Sequence, residues 1–272
     1  MKLRRNILTF SAILGLFAGA AQAAESIKLG VMGGSEEEIA EVAQKVAAQR
    51  GLDVDIVTFS DYLMPNAALA DGDLNANAFQ HVPYLDAQKA ARGYDIVPVG
   101  ATIVEPMGMY SEEIKTIDSV KPGARIGIPN DPTNGGRALL LLAAHGLISL
   151  REGSGPIPTV LDVAGNPKNL KLSELDAALL PRALGDLDAA VINTNFALDA
   201  GLDPRKNAII REPRVDNPYS NVIAVRAEDK DAVWVKDLVA AYQSDAVAQF
   251  LEKRFKGAIE PAWGGGVEAE RK

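Results

Sequence analysis

Residues 26–59 read SIKLGVMGGSEEEIAEVAQKVAAQRGLDVDIVTF. The first part, SIKLGVM, has the look of a short strand and runs into Gly33 and Gly34. From Ser35 to Gln49, Ile39, Val42, Ala43 and Val46 recur at helical spacing. Ser35 as N-cap, with Glu36, Glu37 and Glu38 in the first turn, predicts a helix start. LDVDIVTF then alternates as a half-buried strand does, completing a β-α-β unit. A parallel crossover of this kind puts the chain in the α/β class.

Outward from this unit the pattern repeats. YDIVPVGATIVEPMGMYS (94–111) is a long extended stretch broken by Pro98 and Pro106, of the kind that connects lobes. ARIGIPND (124–131) alternates as a strand, and PTNGGRALLLLAAHGLI (132–148) predicts a helix apolar enough to be buried on several sides. NLKLSELDAALLPRALGDLDAAVINTN (169–195) reads as a helix, broken near Pro181, followed by a second passage from helix to strand. SNVIAVRAED (220–229) predicts a strand returning to the first lobe, and residues 231–255 close the chain with helix. The expected architecture is two α/β lobes, residues 24–109 with 217–272 and residues 110–216, around a cleft at strand ends, where such folds take ligands.

The first 23 residues carry Lys2, Arg4 and Arg5, then an apolar middle, then Ala21-Gln22-Ala23. This predicts a cleaved secretory signal. The chain has no cysteine, which excludes disulfides, thiol nucleophiles and thiolate metal sites and leaves no cysteine for a lipid anchor. A mature chain free in an extracytoplasmic space is the expectation. Subtracting the three basic residues of the leader from 28 leaves 25 against 36 acidic ones, a balance of −11. A surface that acidic is a poor match for nucleic acid or anionic lipid.

Signatures of catalysis are absent. The glycines at 30, 33 and 34 do not make G-x-G-x-x-G, and three glutamates behind them would repel a pyrophosphate. No phosphate loop, nucleophile elbow, H-E-x-x-H or calcium loop occurs. With two separated histidines, neither a metal site nor any cofactor is expected.

Five places could hold a ligand. His145 is not one of them: just before Gly146 at a helix end, it suits a C-terminal cap. His81, in NANAFQHVPYL (75–85), precedes a proline-led segment; if AFQH is extended, Phe79 and His81 point to one side, and a packed core ring fits as well as a ligand-contacting donor. Arg137 falls in the expected first turn of its helix, where the dipole disfavours a cation, so an anionic partner is expected: a ligand carboxylate gripped by two parallel hydrogen bonds, or a nearby Asp or Glu. Asn193 and Asn195 follow the strand AAVI at i, i+2 spacing, as a shared amide face or a turn-initiating pair. Tyr62, Asn66 and Asn221 are further candidates that turn chemistry explains equally well.

Taken together, FSDYLMPNAALADGDLNANAFQHVPYLDA, EPMGMYS, IGIPNDPTNGGRALLLLAAHGLI, NPKNLKLSELDAALLPRALGDLDAAVINTNFALDAGLDP and NPYSNVIAVRAED resemble the NlpA/MetQ methionine-binding proteins of bacterial ABC importers. They run collinearly over most of Ile27–Asp229. The resemblance implies a two-lobed periplasmic binding protein, a monomer, closing on a free amino acid, typically L-methionine, and delivering it to an inner-membrane permease whose ATPase is a separate chain. It implies no enzyme activity. Tyr62 and Phe79 would wall the thioether, His81 would line the same pocket, Arg137 would hold the α-carboxylate, and Asn195 and Asn221, with Asn193 beside them, would meet the backbone amine and carboxylate. D-methionine or a methionine-containing dipeptide is the alternative ligand. A periplasmic amino-acid lyase with His81 and Glu105 as its acid–base pair, or a sensor subunit, is the alternative class.

Overall fold

The computed structural model describes residues 25–264, so the expected leader lies outside the described residues. Strands β1 (Glu25–Met32), β2 (Leu52–Phe59), β3 (Ala76–His81) and β4 (Ile96–Val104) alternate with helices α1 (Ser35–Gln49), α2 (Met64–Ala70) and α3 (Val82–Arg92). The chain then crosses to β5 (Gly108–Tyr110), β6 (Arg125–Pro129), the small hairpin β7 (Ser149–Leu150) and β8 (Val163–Gly165), β9 (Lys171–Leu175), β10 (Ala189–Ile192) and β11 (Ile210–Arg211). Among these lie α4 (Pro132–Ala144), α5 (Leu180–Ala183) and α6 (Thr194–Asp199). It returns through β12 (Ser220–Arg226), α7 (Val233–Tyr242), α8 (Asp245–Phe255) and β13 (Glu260–Pro261).

Two crossings, β4 to β5 and β11 to β12, divide the strands between two sheets. One is six-stranded in the order β13-β4-β12-β3-β1-β2, and the other five-stranded in the order β11-β5-β10-β6-β9. The β-α-β units give the parallel pairs β1–β2, β1–β3, β6–β9 and β6–β10. The returning β12 lies antiparallel between β3 and β4. Each sheet has its own apolar core: Leu29, Ile39, Ala43, Ile223, Leu238 and Leu251 in the first, and Met109, Ile126, Leu139, Leu142 and Val191 in the second. A third cluster spans the two, joining Met32, Phe79 and Tyr84 to Tyr110, Ile192 and Phe196. The fold is thus a two-lobed α/β structure with a cleft between the lobes.

Three local expectations change. Gly34, not Ser35, precedes the first turn of α1, and the Ser35 amide donates to Asp199 Oδ1 at 3.3 Å. Asp199 ends α6, so the positive end of α1 is met by a carboxylate from the opposite lobe. Residues 171–175 are a strand rather than helix, held by parallel pairing along all of β6, and Pro181 sits inside the start of the four-residue α5, where its missing N–H costs nothing. The closing helix is two helices, because Ser244 caps α8 by accepting from the Val247 amide. His145 is the C-cap of α4, with Nδ1 3.0 Å from the Leu141 carbonyl oxygen.

The approach of Asp199 depends on Gly34, which has φ +81° and would place a Cβ 2.1 Å from Asp199 Oδ1. Gly51 has φ +84° but open space around it. We expect Gly51→Ala to cost about 1 kcal/mol for the backbone alone and Gly34→Ala about 2–4 kcal/mol, because the carboxylate must also move. Urea denaturation of the two variants checks this; equal losses would show that the lobe-to-lobe contact contributes nothing.

Candidate ligand site between the lobes

β3 delivers the first side of the site. All six of its residues are buried, and its end coincides with the start of α3, so His81 serves both as the last strand residue and as the helix N-cap. Its Nδ1 accepts from the Tyr84 amide at 3.1 Å. With that nitrogen an acceptor, Nε2 carries the proton and lies 3.3 Å from Asn134 Oδ1, which accepts it. Burial first, then the Arg137 charge, push His81 down to about 3, so the ring is neutral. Phe79 and Tyr84 stand edge to face with centroids 6.0 Å apart, and Tyr62 is 6.0 Å from each. Tyr84 donates to the Tyr62 carbonyl at 2.9 Å, which fixes the loop before α2.

α4 delivers the opposite side. Asp131 is its N-cap, accepting from the Asn134 amide at 2.9 Å, and Pro132 opens the helix. Arg137 therefore lies in the second turn rather than the first, and the dipole does not account for its partner. The partner is Glu212, buried with it: Arg137 Nε donates to Glu212 Oε1 at 2.7 Å and Nη2 donates to Oε2 at 2.6 Å. Nη2 also donates to the Glu105 carbonyl at 2.8 Å, and the Tyr219 ring lies 4.3 Å from the guanidinium carbon. Two edges of the fork are thus occupied, and Nη1, which makes no hydrogen bond among the described residues, is the edge left for the cleft.

The amides divide. Asn193 is the N-cap residue of α6 and its Nδ2 donates to Asn134 Oδ1 at 2.9 Å. Asn195 is inside α6 rather than on a strand face shared with Asn193. It is fully buried behind Tyr62, whose hydroxyl donates to Asn195 Oδ1 at 2.7 Å. Asn221, on β12 opposite His81, donates to the Phe79 carbonyl at 3.3 Å. Asn66 lies beneath the site in a closed amide network with Asn77 and Gln80.

One inner cavity of about 20 Å³ brings together Tyr62, Phe79, His81, Arg137, Asn193 and Asn221; Asn195 is not on its wall. Room for a single water there means the lobes must part to admit anything larger. Tyr62 on the wall of this chamber packs 4.9 Å from Phe196, which lines a wide opening of about 840 Å³ together with Gly33, Asp61, Asp176 and Arg182. Sequence reasoning missed Asn134, Glu212 and Tyr219. Asn134 had a signal in Asp131-Pro132, a cap and N1 pair; Glu212 and Tyr219 lie in irregular chain with no periodicity to mark them.

The chain belongs to the NlpA lipoprotein family, whose model matches residues 27–263. It is 53% identical over 240 residues to the D-methionine-binding lipoprotein MetQ of Escherichia coli O157:H7, covering 87% of this chain and 88% of that protein. It is 46% identical over 254 residues to Lipoprotein 28 of Escherichia coli K12, covering 91% and 93%. Among solved structures, a nutrient binding protein from Burkholderia cenocepacia bound to methionine aligns with a TM-score of 0.86 at 53% identity, over 87% of this chain and 100% of the other.

These relatives correct one expectation. The lack of cysteine points to a soluble, unanchored protein, but the family and its members are named lipoproteins. The relatives' names overturn the unanchored location, since a count of one residue type does not say where a protein resides. A periplasmic location is consistent with the relatives.

The neutrality of His81 has a measurable consequence. Its pKa in the fold is about 3, against 6.5 for the free side chain. Between those values the unfolded chain takes up a proton that the folded one refuses, so this residue makes stability fall as pH drops through that window. We expect His81→Gln to flatten the decline in unfolding free energy between pH 6.5 and 4; an unchanged slope by denaturant titration would contradict a buried neutral imidazole.

Proposed function

We propose that the protein captures methionine between its lobes and presents it to an ABC permease, with the ATPase on a separate chain. The observation that carries this reading is the composition of the inner cavity. One side offers aromatic rings, Tyr62, Phe79 and Tyr84, and the other offers the free edge of Arg137 with the Asn193 amide. An amino acid with an apolar side chain has the same two-sided chemistry. Tyr62 and Phe79 would hold the thioether, gaining about 0.3–1.5 kcal/mol from sulfur against ring edges beyond simple burial. Arg137 Nη1 and Asn221 would receive the carboxylate, and Asn195 would act through Tyr62 by fixing its hydroxyl.

Closure follows from where these groups reside. The sheet built from residues 25–104 and 220–261 anchors one lobe and the strands from β5 to β11 the other, so the boundary expected at 109–110 moves to the crossings near 105–107 and 212–219. A ligand touching both makes more contacts in the closed state and shifts the population toward it. Micromolar affinity, about 8 kcal/mol, is within reach of one charged contact plus burial of the side chain. We infer binding rather than turnover, and a monomer. His81 has both ring nitrogens engaged and is hard to protonate, so it is a poor acid–base partner for Glu105.

Calorimetry with Phe79→Ala tests the side-chain pocket. The variant should lose about 10-fold or more in affinity for methionine and much less for alanine, since the ring meets only the longer side chain. Equal losses for both ligands would remove Phe79 from that role.

A further inference from the structure

Two helices of the first lobe bring ends of opposite sign to one place. The start of α1 is positive through its unpaired amides, and the end of α8 is negative through its unpaired carbonyls. Arg254 ties the two together, its Nε and Nη2 donating to Glu38 at 2.7 and 2.9 Å. Against this junction lies a short piece of the second lobe, the end of α6 and the loop after it, and it offers each helix the complementary charge. Asp199 Oδ1 accepts from the Ser35 amide at 3.3 Å, and Arg205 Nη1 donates at 2.9 Å to the carbonyl of Lys256, the C-cap of α8. Asp203 holds the other two nitrogens of Arg205, Nε at 3.1 Å and Nη2 at 2.7 Å, which aims Nη1 across the gap. Leu198, next to Asp199, packs against the core of the first lobe.

This joint is not a filled interface. A cavity of about 190 Å³ remains inside it, with Leu202 and Arg205 on one side and Arg254 and Phe255 on the other. The lobes therefore meet here at a few points that can part. Burial raises the Asp199 carboxyl, the Ser35 amide lowers it and Glu38 raises it again, so that contact is opposed as well as favoured. Such a contact biases an equilibrium between two arrangements and does not lock one of them. Neither Asp199 nor Arg205 lines the inner cavity.

We propose that Asp199 and Arg205 form a two-ended clasp that favours the closed arrangement of the lobes with or without ligand and slows the release of whatever the cleft holds. Both are positioning residues: they act by weighting the closed state, whatever occupies it. Only the part concerning release rests on the methionine-binding reading above.

The test uses the full chain, whose lack of cysteine allows spin labels at Lys45→Cys and Asp118→Cys, exposed positions on the two lobes. Without ligand, pulsed dipolar distances in the otherwise unaltered chain should include a short, narrow component. Asp199→Ala combined with Arg205→Ala should lower the ratio of short to long distances about 10-fold, and saturating L-methionine should restore the short one. Asp199→Asn combined with Arg205→Lys, which keeps an acceptor and a donor, should lie between. Methionine displaced from the alanine pair should leave about 10-fold faster than from wild type. Ligand-free distances that coincide with and without the clasp overturn the proposal, and an unchanged release rate refutes its part in retention. Failure of wild type to bind methionine of either hand overturns the methionine reading instead, and the ligand-free distances still decide the clasp. Should the alanine pair not fold, Asp199→Ala alone is judged by the same distances.

Discussion

A buried arginine cannot be left alone, and the requirement that Arg137 be matched organises the centre of this protein. Its partner Glu212 begins the segment by which the chain leaves the second sheet, and Glu105, whose carbonyl takes a third bond, ends the segment by which it arrives. Glu212 also accepts from the Met107 amide at 2.9 Å, while its own amide donates to the Met107 carbonyl at 2.9 Å. One guanidinium thus pins both connections between the lobes. Its charge is cancelled before any ligand arrives, which leaves a directional donor at the cleft rather than a strong uncompensated field. Removing one member of such a pair is costly because the other stays buried and charged.

The rest of the site obeys the same economy. Polar groups lining the cavity satisfy one another almost completely: His81 to Asn134, Asn134 to Asn193 and Asp131, Tyr62 to Asn195, and the closed triangle of Asn66, Asn77 and Gln80 beneath. A network so nearly complete has few arrangements open to it, which keeps the rings and amides in place while the lobes move. The unsatisfied exceptions then become informative, since a buried orphan acceptor is expensive unless something is meant to meet it.

Much of the architecture was legible in the sequence because it rests on local rules. The Ser35–Gln49 helix, the strands on either side, the apolar α4 and the returning β12 all follow from spacing and turn chemistry. The errors lie where distant residues decide. Ser35 looked like a cap because Asp199, 164 positions away, could not be seen to take that part. Asn193 and Asn195 suit one strand face by spacing alone, but Asn193 takes its other reading, a cap at which the strand ends and α6 begins. Arg137 stands out for an anomaly that moves once Asp131 is the cap, and the two-bond fork expected for a ligand carboxylate is taken by Glu212, 75 positions away. Location was misjudged from the missing cysteine, which the family's lipoprotein relatives overrule.

The central claim is that the Arg137–Glu212 pair both joins the lobes and presents the ligand's anchor, and a double-mutant cycle reads the two roles separately. Arg137→Met, Glu212→Leu and the double variant would be compared by denaturant unfolding and by methionine calorimetry. Each single change should cost about 3–5 kcal/mol of stability, and the double change should recover most of it, since two apolar side chains leave no unpaired charge. Methionine affinity should stay lost in the recovered double variant, because Nη1 is gone. Single variants as stable as wild type, or a double variant that binds methionine normally, would contradict the account.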